Sequence, residues 1–185
     1  MADLHTTLAG VRFPNPVMPA SGTYEYSNKH DGFYSPSELG AVVNKTVFLD
    51  ERPGNPPPRM CETPCGMLNA IGIPSKGIDY FLENTLPKMA GYGVPVIVSV
   101  AGETTEEFVE ISRRVEDSGQ ADMIELNLSC PNLSHDKEWA QDEGLLSEVL
   151  TAVAARVRLP LVAKLSPAVT DITRMARVAE DSGAS

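Results

Sequence analysis

Residues 94–102 read VPVIVSVAG. One polar side chain among nine residues, with a proline near one end and a glycine at the other, suits a strand buried on both faces. Such a continuous apolar run belongs to a covered parallel sheet, whereas a half-exposed strand would alternate. The flanks extend the pattern. Phe108, Ile111 and Val115 recur at helical spacing, and the helix ends near Gly119. ADMIELNLS (121–129) reads as a second strand. Leu146, Val149, Leu150, Val153 and Val157 fit one helix face. PLVAKLS (160–166) is a third strand, and Ile172, Met175, Ala176 and Ala179 form a helix that Gly183 stops.

The first half is more irregular. VMPAS (17–21) and AVVNKTV (41–47) read as short strands, with a helix start between them at Ser35-Pro36-Ser37-Glu38, a serine cap with a glutamate reaching back. Ile78, Phe81, Leu82, Thr85 and Leu86 mark a helix at 77–86 that Pro87 limits. LHTTLAGVRFP reads as a small hairpin closing one end. Residues 52–77 are too rich in Pro and Gly for a packed helix. With Met67, Leu68 and Ile71 they are expected to form an ordered loop over the active face. Five strands alternating with helices predict an α/β parallel sheet. Two architectures fit: a doubly wound five-stranded sheet, or the first five units of a (β/α)8 barrel.

The 185 residues suffice for one domain with a core. A net charge of −10 argues against nucleic acid or an anionic membrane as the main partner. A small anionic substrate stays admissible, because a few lysines in one pocket are enough. The N-terminus lacks the pattern of a signal peptide, and no stretch approaches the roughly 20 apolar residues of a membrane span. Three cysteines point to reduced thiols in the cytoplasm. Cys61 and Cys65 have no second ligand pair, so no metal site is expected there.

Polar residues close every apolar run: Ser21, then Lys45 and Thr46, Ser99, Asn127 and Ser129, and finally Lys164 and Ser166. In a barrel these ends converge on one face, where ligands bind. Serines are ordinary where strands approach solvent. Lys45 and Lys164 are embedded in VVNKTV and LVAKLS, and an unpaired buried lysine is costly, so a bound anion or anionic ring is a natural partner. The fourth run continues as ELNLSCPN (125–132). Pro131 restricts Cys130 to extended backbone. The amides of Asn127 and Asn132 both donate and accept, which suits a planar ligand with amide-like edges. Spacing alone leaves Cys130 open between a thiol beside substrate and a small core residue.

Six motifs in register carry a resemblance: N-K-T (44–46), G-N-P-x-P-R (54–59), E-T-P-x-G-M-L-N-A-I-G (62–72), V-A-G (100–102), N-x-S-C-P-N (127–132) and K-L-S-P (164–167). Together they resemble the dihydroorotate dehydrogenase family, and within it the catalytic subunit of the NAD-dependent class 1B form. The similarity runs from about residue 7 to residue 185. It implies a (β/α)8 TIM barrel carrying FMN at its C-terminal face and oxidising dihydroorotate to orotate in pyrimidine biosynthesis. Cys130 matches the base that removes a proton from carbon 5, while hydride leaves carbon 6. Lys45 matches a residue touching both flavin and substrate. Asn69, Ala70, Ile71, Gly72, Ile73, Asn127 and Asn132 match the substrate clamp. Ser21, Thr46, Ser99, Asn127 and Lys164 fall where the family contacts FMN. The resemblance further implies a homodimer and a partner subunit bearing FAD and an iron–sulfur cluster, which passes electrons to NAD.

There are departures. Ser99 stands where relatives often carry asparagine, and Gly72-Ile73-Pro74-Ser75-Lys76-Gly77 replaces a commoner G-L-Q-N-P-G. After Asn132 the family's glycine-rich stretch becomes LSHDKEWAQDEG, which is expected to act as a lid, with His135 and Trp139 as exposed loop residues. The chain is read as a single domain, 1–185, holding about the first five β/α units of the barrel. Standing alone, it is expected to bind FMN weakly and to turn over little. A fumarate-dependent homodimeric enzyme and a catalytically inactive binding module are the alternatives.

Overall fold

The computed structural model describes residues 2–24, 34–129 and 138–185. Cys130, Asn132 and His135 therefore lie outside the described residues. The chain opens with a hairpin in which β1 (Thr6–Leu8) pairs antiparallel with β2 (Val11–Phe13). Its two-residue turn, Ala9 and Gly10, has φ of 49° and 82°, the turn geometry that matches the twist of paired strands. Phe13 packs with Ala41, Val43, Ile97 and Met123 under the main sheet, so the hairpin closes one end of it, as its sequence suggests.

No strand forms at 17–21, contrary to the sequence reading. Pro14, Pro16 and Pro19 supply no N–H for a ladder. The segment is pinned instead by single bonds: Asn15 Nδ2 donates to Glu38 O at 2.9 Å, and Gly40 N to Val17 O at 2.7 Å. A Cβ on Gly40 would lie 1.9 Å from Asn15 O, so only glycine permits this crossing. The capping box at Ser35 and Glu38 forms, but it caps only a 3₁₀ turn, Pro36–Glu38. The two tethers hold the chain at Glu38 and Gly40 and stop a longer helix.

Next come β3 (Val42–Val43), β4 (Glu51–Arg52), the pair β5 (Met60–Thr63) and β6 (Gly66–Asn69), and β7 (Ser75–Lys76). The long loop is thus more structured than its composition suggests. β4 and β7 pair across its ends, and β5 and β6 form a hairpin within it. Met67 and Leu68 do not anchor it, because both are exposed. Helix α1 (Gly77–Tyr80) runs through a π turn at Phe81–Thr85 into α2 (Leu86–Ala90). The helix therefore continues past Pro87, which sits in the first turn of α2 where no donor is needed.

The second half follows the predicted alternation: β8 (Val96–Val100), α3 (Thr105–Asp117), β9 (Met123–Asn127), α4 (Glu143–Ala154), β10 (Leu161–Lys164) and α5 (Ile172–Asp181). Thr104, Asp142 and Asp171 cap the three helices with side-chain oxygens. Trp139 opens a 3₁₀ turn and is buried, edge-on to Phe108 at 5.6 Å between centroids, so it is a core residue and not an exposed one. On α5 only Met175 and Ala179 are buried; Ile172 and Ala176 are exposed, because the helix packs on α4 along a narrow stripe.

The main sheet is parallel, with four strands in the order β3, β8, β9, β10. Each new strand joins beside the previous one. A doubly wound sheet reverses at a switch point. No reversal occurs among the described residues. One face, with Val96, Val98, Val100, Ile124, Leu126 and Leu161, packs on the helices through Phe108, Ile111, Leu146, Leu150 and others. The opposite face runs from apolar residues (Val43, Ile97, Met123) to polar ones at the carboxyl ends. Among the described residues no helix is long and apolar enough to cross a membrane.

Candidate active site

The polar ends of the strands meet in one hydrogen-bonded network. Ser21 Oγ lies 3.2 Å from Thr46 Oγ1, and Thr46 Oγ1 lies 3.0 Å from Ser99 Oγ. Asn127 Nδ2 donates to Thr46 Oγ1 at 3.0 Å, across the intervening β8. Lys164 and Asn127 are register neighbours on β10 and β9, and Lys164 Nζ donates to Asn127 Oδ1 at 2.9 Å. Ser129 Oγ donates to the same oxygen at 3.2 Å and accepts from Lys164 at 3.4 Å. An ammonium can only donate, so it fixes the Asn127 amide with its oxygen toward Lys164 and its nitrogen toward Thr46. Thr46, Ser99 and Asn127 are buried and Lys164 is half-buried.

Five predicted residues, Ser21, Thr46, Ser99, Asn127 and Lys164, thus lie in contact although they come from distant parts of the chain. Lys164 uses two of its three N–H donors within the network, which leaves one for a ligand. Neither lysine is both buried and unpaired, contrary to expectation. Lys164 is bonded, and Lys45 is exposed because the chain leaves the β3 ladder after Val43. Lys45 lines a neighbouring cleft of about 680 Å³ together with Gly22, Thr46, Lys76, Tyr80 and Lys88. Among its described lining residues are three lysines and no Asp or Glu. In a chain of 25 acidic and 15 basic residues this local reversal of charge suits an anion.

The segment 69–73 is not bonded to the network. Asn69 and Ala70 are exposed, and Ile73 packs on the core. The segment is tied instead to residue 55: Asn55 N donates to Ile71 O at 3.1 Å and Asn55 Nδ2 to Ala70 O at 2.9 Å. Gly72, at φ 74°, lies so close that a Cβ would approach Asn55 N to 2.6 Å. Cys61 and Cys65 are free and exposed on the hairpin. Two buried-face residues escape the sequence reading. Asn44 is 2% exposed and bonds to Ser99. Glu125 lies between Met123 and Asn127 along β9, with one carboxylate oxygen buried and without a hydrogen-bond partner. A charge within the apolar run of β9 was the available signal for Glu125; for Asn44 it was the N-K-T motif.

Fold and site together define a β/α-repeat protein that gathers polar side chains where its parallel strands end, the ligand-binding place of this architecture. Residues 3–185 match the family model of dihydroorotate dehydrogenase. The chain belongs to the dihydroorotate dehydrogenase family. It is 43% identical, over all of its own length and 59% of the relative's, to the protein of Anoxybacillus flavithermus named dihydroorotate dehydrogenase B (NAD(+)), catalytic subunit. It is 42% identical to the protein of that name from Bacteroides thetaiotaomicron, covering 61% of it. At 43% identity, over 98% of the chain and 60% of the relative, it is similar to an Aquifex aeolicus protein whose name assigns it provisionally to dihydroorotate dehydrogenase A (fumarate). The chain spans about 60% of the length of these relatives.

Proposed function

We propose that the chain is the N-terminal part of the catalytic subunit of an NAD-dependent dihydroorotate dehydrogenase, a cytoplasmic enzyme that oxidises (S)-dihydroorotate to orotate in pyrimidine biosynthesis. In this reading the four parallel strands are an arc of a (β/α)8 barrel, and residues 1–185 are one domain of it. The observation that carries the reading is the network of Ser21, Thr46, Ser99, Asn127 and Lys164 at the strand ends. Hydroxyls, an amide and an ammonium side by side fit the donor and acceptor edge of a flavin ring, and Lys164 keeps a donor for it.

FMN, when bound, supplies the two-electron acceptor. The residues of the chain do the rest. Thr46, Ser99, Asn127 and Lys164 orient the ring edge. Lys45 offsets the substrate's carboxylate from the cleft wall, and residues 69–73 with Asn127 and Asn132 hold the substrate's amide edges. Cys130 takes the proton from carbon 5 as hydride departs from carbon 6, so both electrons leave with the hydride and a carbon–carbon double bond forms. The test is anaerobic flavin reduction by dihydroorotate in protein expressed from the complete gene. Cys130→Ser is expected to slow it by about 100-fold or more, the usual contribution of a positioned base. Equal rates would remove Cys130 from the role.

In the NAD-dependent reading a homodimer passes electrons to a partner subunit carrying FAD and an iron–sulfur cluster. The similarity to the Aquifex protein supports a second reading, a fumarate-dependent enzyme. Co-purification of an iron–sulfur flavoprotein separates the two: its presence favours the NAD form. Fumarate reduction by the catalytic chain alone favours the other.

A further inference from the structure

The register along β3 exposes a residue that shapes the site from behind. Val43 pairs with Ile97, and Val47 bridges to Val100. Four steps along one strand thus match three along the other, so β3 carries one extra residue before Val47: a β-bulge. The packing agrees. Val42 and Val47 both face the helix-side core, although on an uninterrupted strand residues five apart face opposite ways.

Asn44 fills the gap in the ladder. Its Oδ1 accepts from Ser99 N at 2.6 Å, and its Nδ2 donates to Ser99 O at 3.1 Å and to Lys45 O at 2.8 Å. A side-chain amide carries the donor and acceptor of a peptide group, so Asn44 meets Ser99 as a strand backbone would. Past it the ladder resumes, with Val47 N to Ser99 O and Ala101 N to Val47 O, both at 3.0 Å.

We propose that Asn44 is a positioning residue, whose amide fixes the bulge at 44–46 and thereby aims Thr46 into the polar network and Lys45 onto the cleft wall. Neighbours on a regular strand point to opposite faces. The bulge instead lets two consecutive side chains serve one ligand region. Without the amide, β3 regularises by one residue, which turns Thr46 away from Ser99 and Asn127 and swings Lys45 inward. The catalytic meaning rests on the reading of the site given above; the geometry does not, and its test uses no flavin.

The test uses the 185-residue chain. In the wild type, the Ser99 amide is expected to resist hydrogen exchange like those of Val98 and Val100. A Ser99 amide that exchanges at the unprotected rate overturns the proposal without any variant. In Asn44→Ala, Ser99 exchange is expected to rise by about tenfold or more, as befits a buried donor left without its acceptor. Acylation of lysines, quantified peptide by peptide, gives a readout that loss of stability alone would not move. Lys76 and Lys88 line the same cleft and serve as internal standards. Lys45 labelling is expected to fall about threefold or more relative to them as it turns inward. An unchanged ratio in a folded Asn44→Ala chain overturns the proposal, and parallel acceleration at all three lysines marks plain unfolding and overturns it likewise.

Discussion

Asn127 ties together groups from β3, β9 and β10, and its orientation depends on the charge of one lysine. Lys164→Met removes that charge but leaves the Asn127 oxygen its bond from Ser129. The cost in stability is therefore expected to stay below about 1.5 kcal/mol. On the proposed reading, flavin affinity is expected to fall more, by about tenfold or more, since Lys164 would supply a charge-assisted bond to the ring. A thermal melt and a flavin titration check the two halves, and unchanged affinity would take Lys164 out of the site. The polar residues at strand ends were legible because they interrupt or close apolar runs. What misled was the setting of Lys45. An apolar sequence around a lysine implies burial only if the strand is regular, and the extra residue between Val43 and Val47 turns Lys45 out. Asn44 shows in the sequence only as the first residue of N-K-T, because its partner Ser99 is distant along the chain.

Among the elements, those whose apolar periodicity was long were read correctly in kind and place: β8, β9, β10 and the helices α3 and α4. Short elements were decided by tertiary tethers. Prolines cancelled the strand at 17–21, and two hydrogen bonds limited the helix at Ser35 to one turn. Helix α1–α2 shows how a breaker can be absorbed. Its buried apolar side chains are Ile78, Phe81, Leu86 and Met89. The step from 81 to 86 is five residues, and the π turn, with Leu86 N bonded back to Phe81 O, supplies that spacing. The proline that follows then falls in a first turn. Pro87→Ala is accordingly expected to be near neutral, within about 0.5 kcal/mol, whereas a mid-helix proline would yield about 3 kcal/mol on removal. Leu86→Ala, by contrast, is expected to cost about 2–5 kcal/mol. Denaturant melts of the two variants decide the matter; a large gain from Pro87→Ala would mean that the proline costs the helix a backbone hydrogen bond.

At the scale of the molecule, the structure bears out the α/β parallel sheet that the sequence predicts, with four strands in sequential order. The polar network lies at one end of this sheet, and the relatives reported above are longer than the chain. On the proposed reading, the 185-residue chain is expected to bind FMN at least about 100-fold more weakly than its longer relatives, because in a (β/α)8 barrel the later loops ordinarily hold the phosphate. Equal affinity in a fluorescence titration would refute this. The chain also carries its own optical gauge. Trp139 is the single tryptophan, 6% exposed, and the turn it opens is fastened to the end of β9 through Ala140 N to Leu128 O at 3.1 Å. Selective excitation of the indole thus interrogates one spot, the bond between the Trp139 turn and the residue that follows β9. A blue-shifted emission would signal that the indole is seated against Phe108, and its displacement toward the red would follow the parting of the Trp139 turn from Leu128.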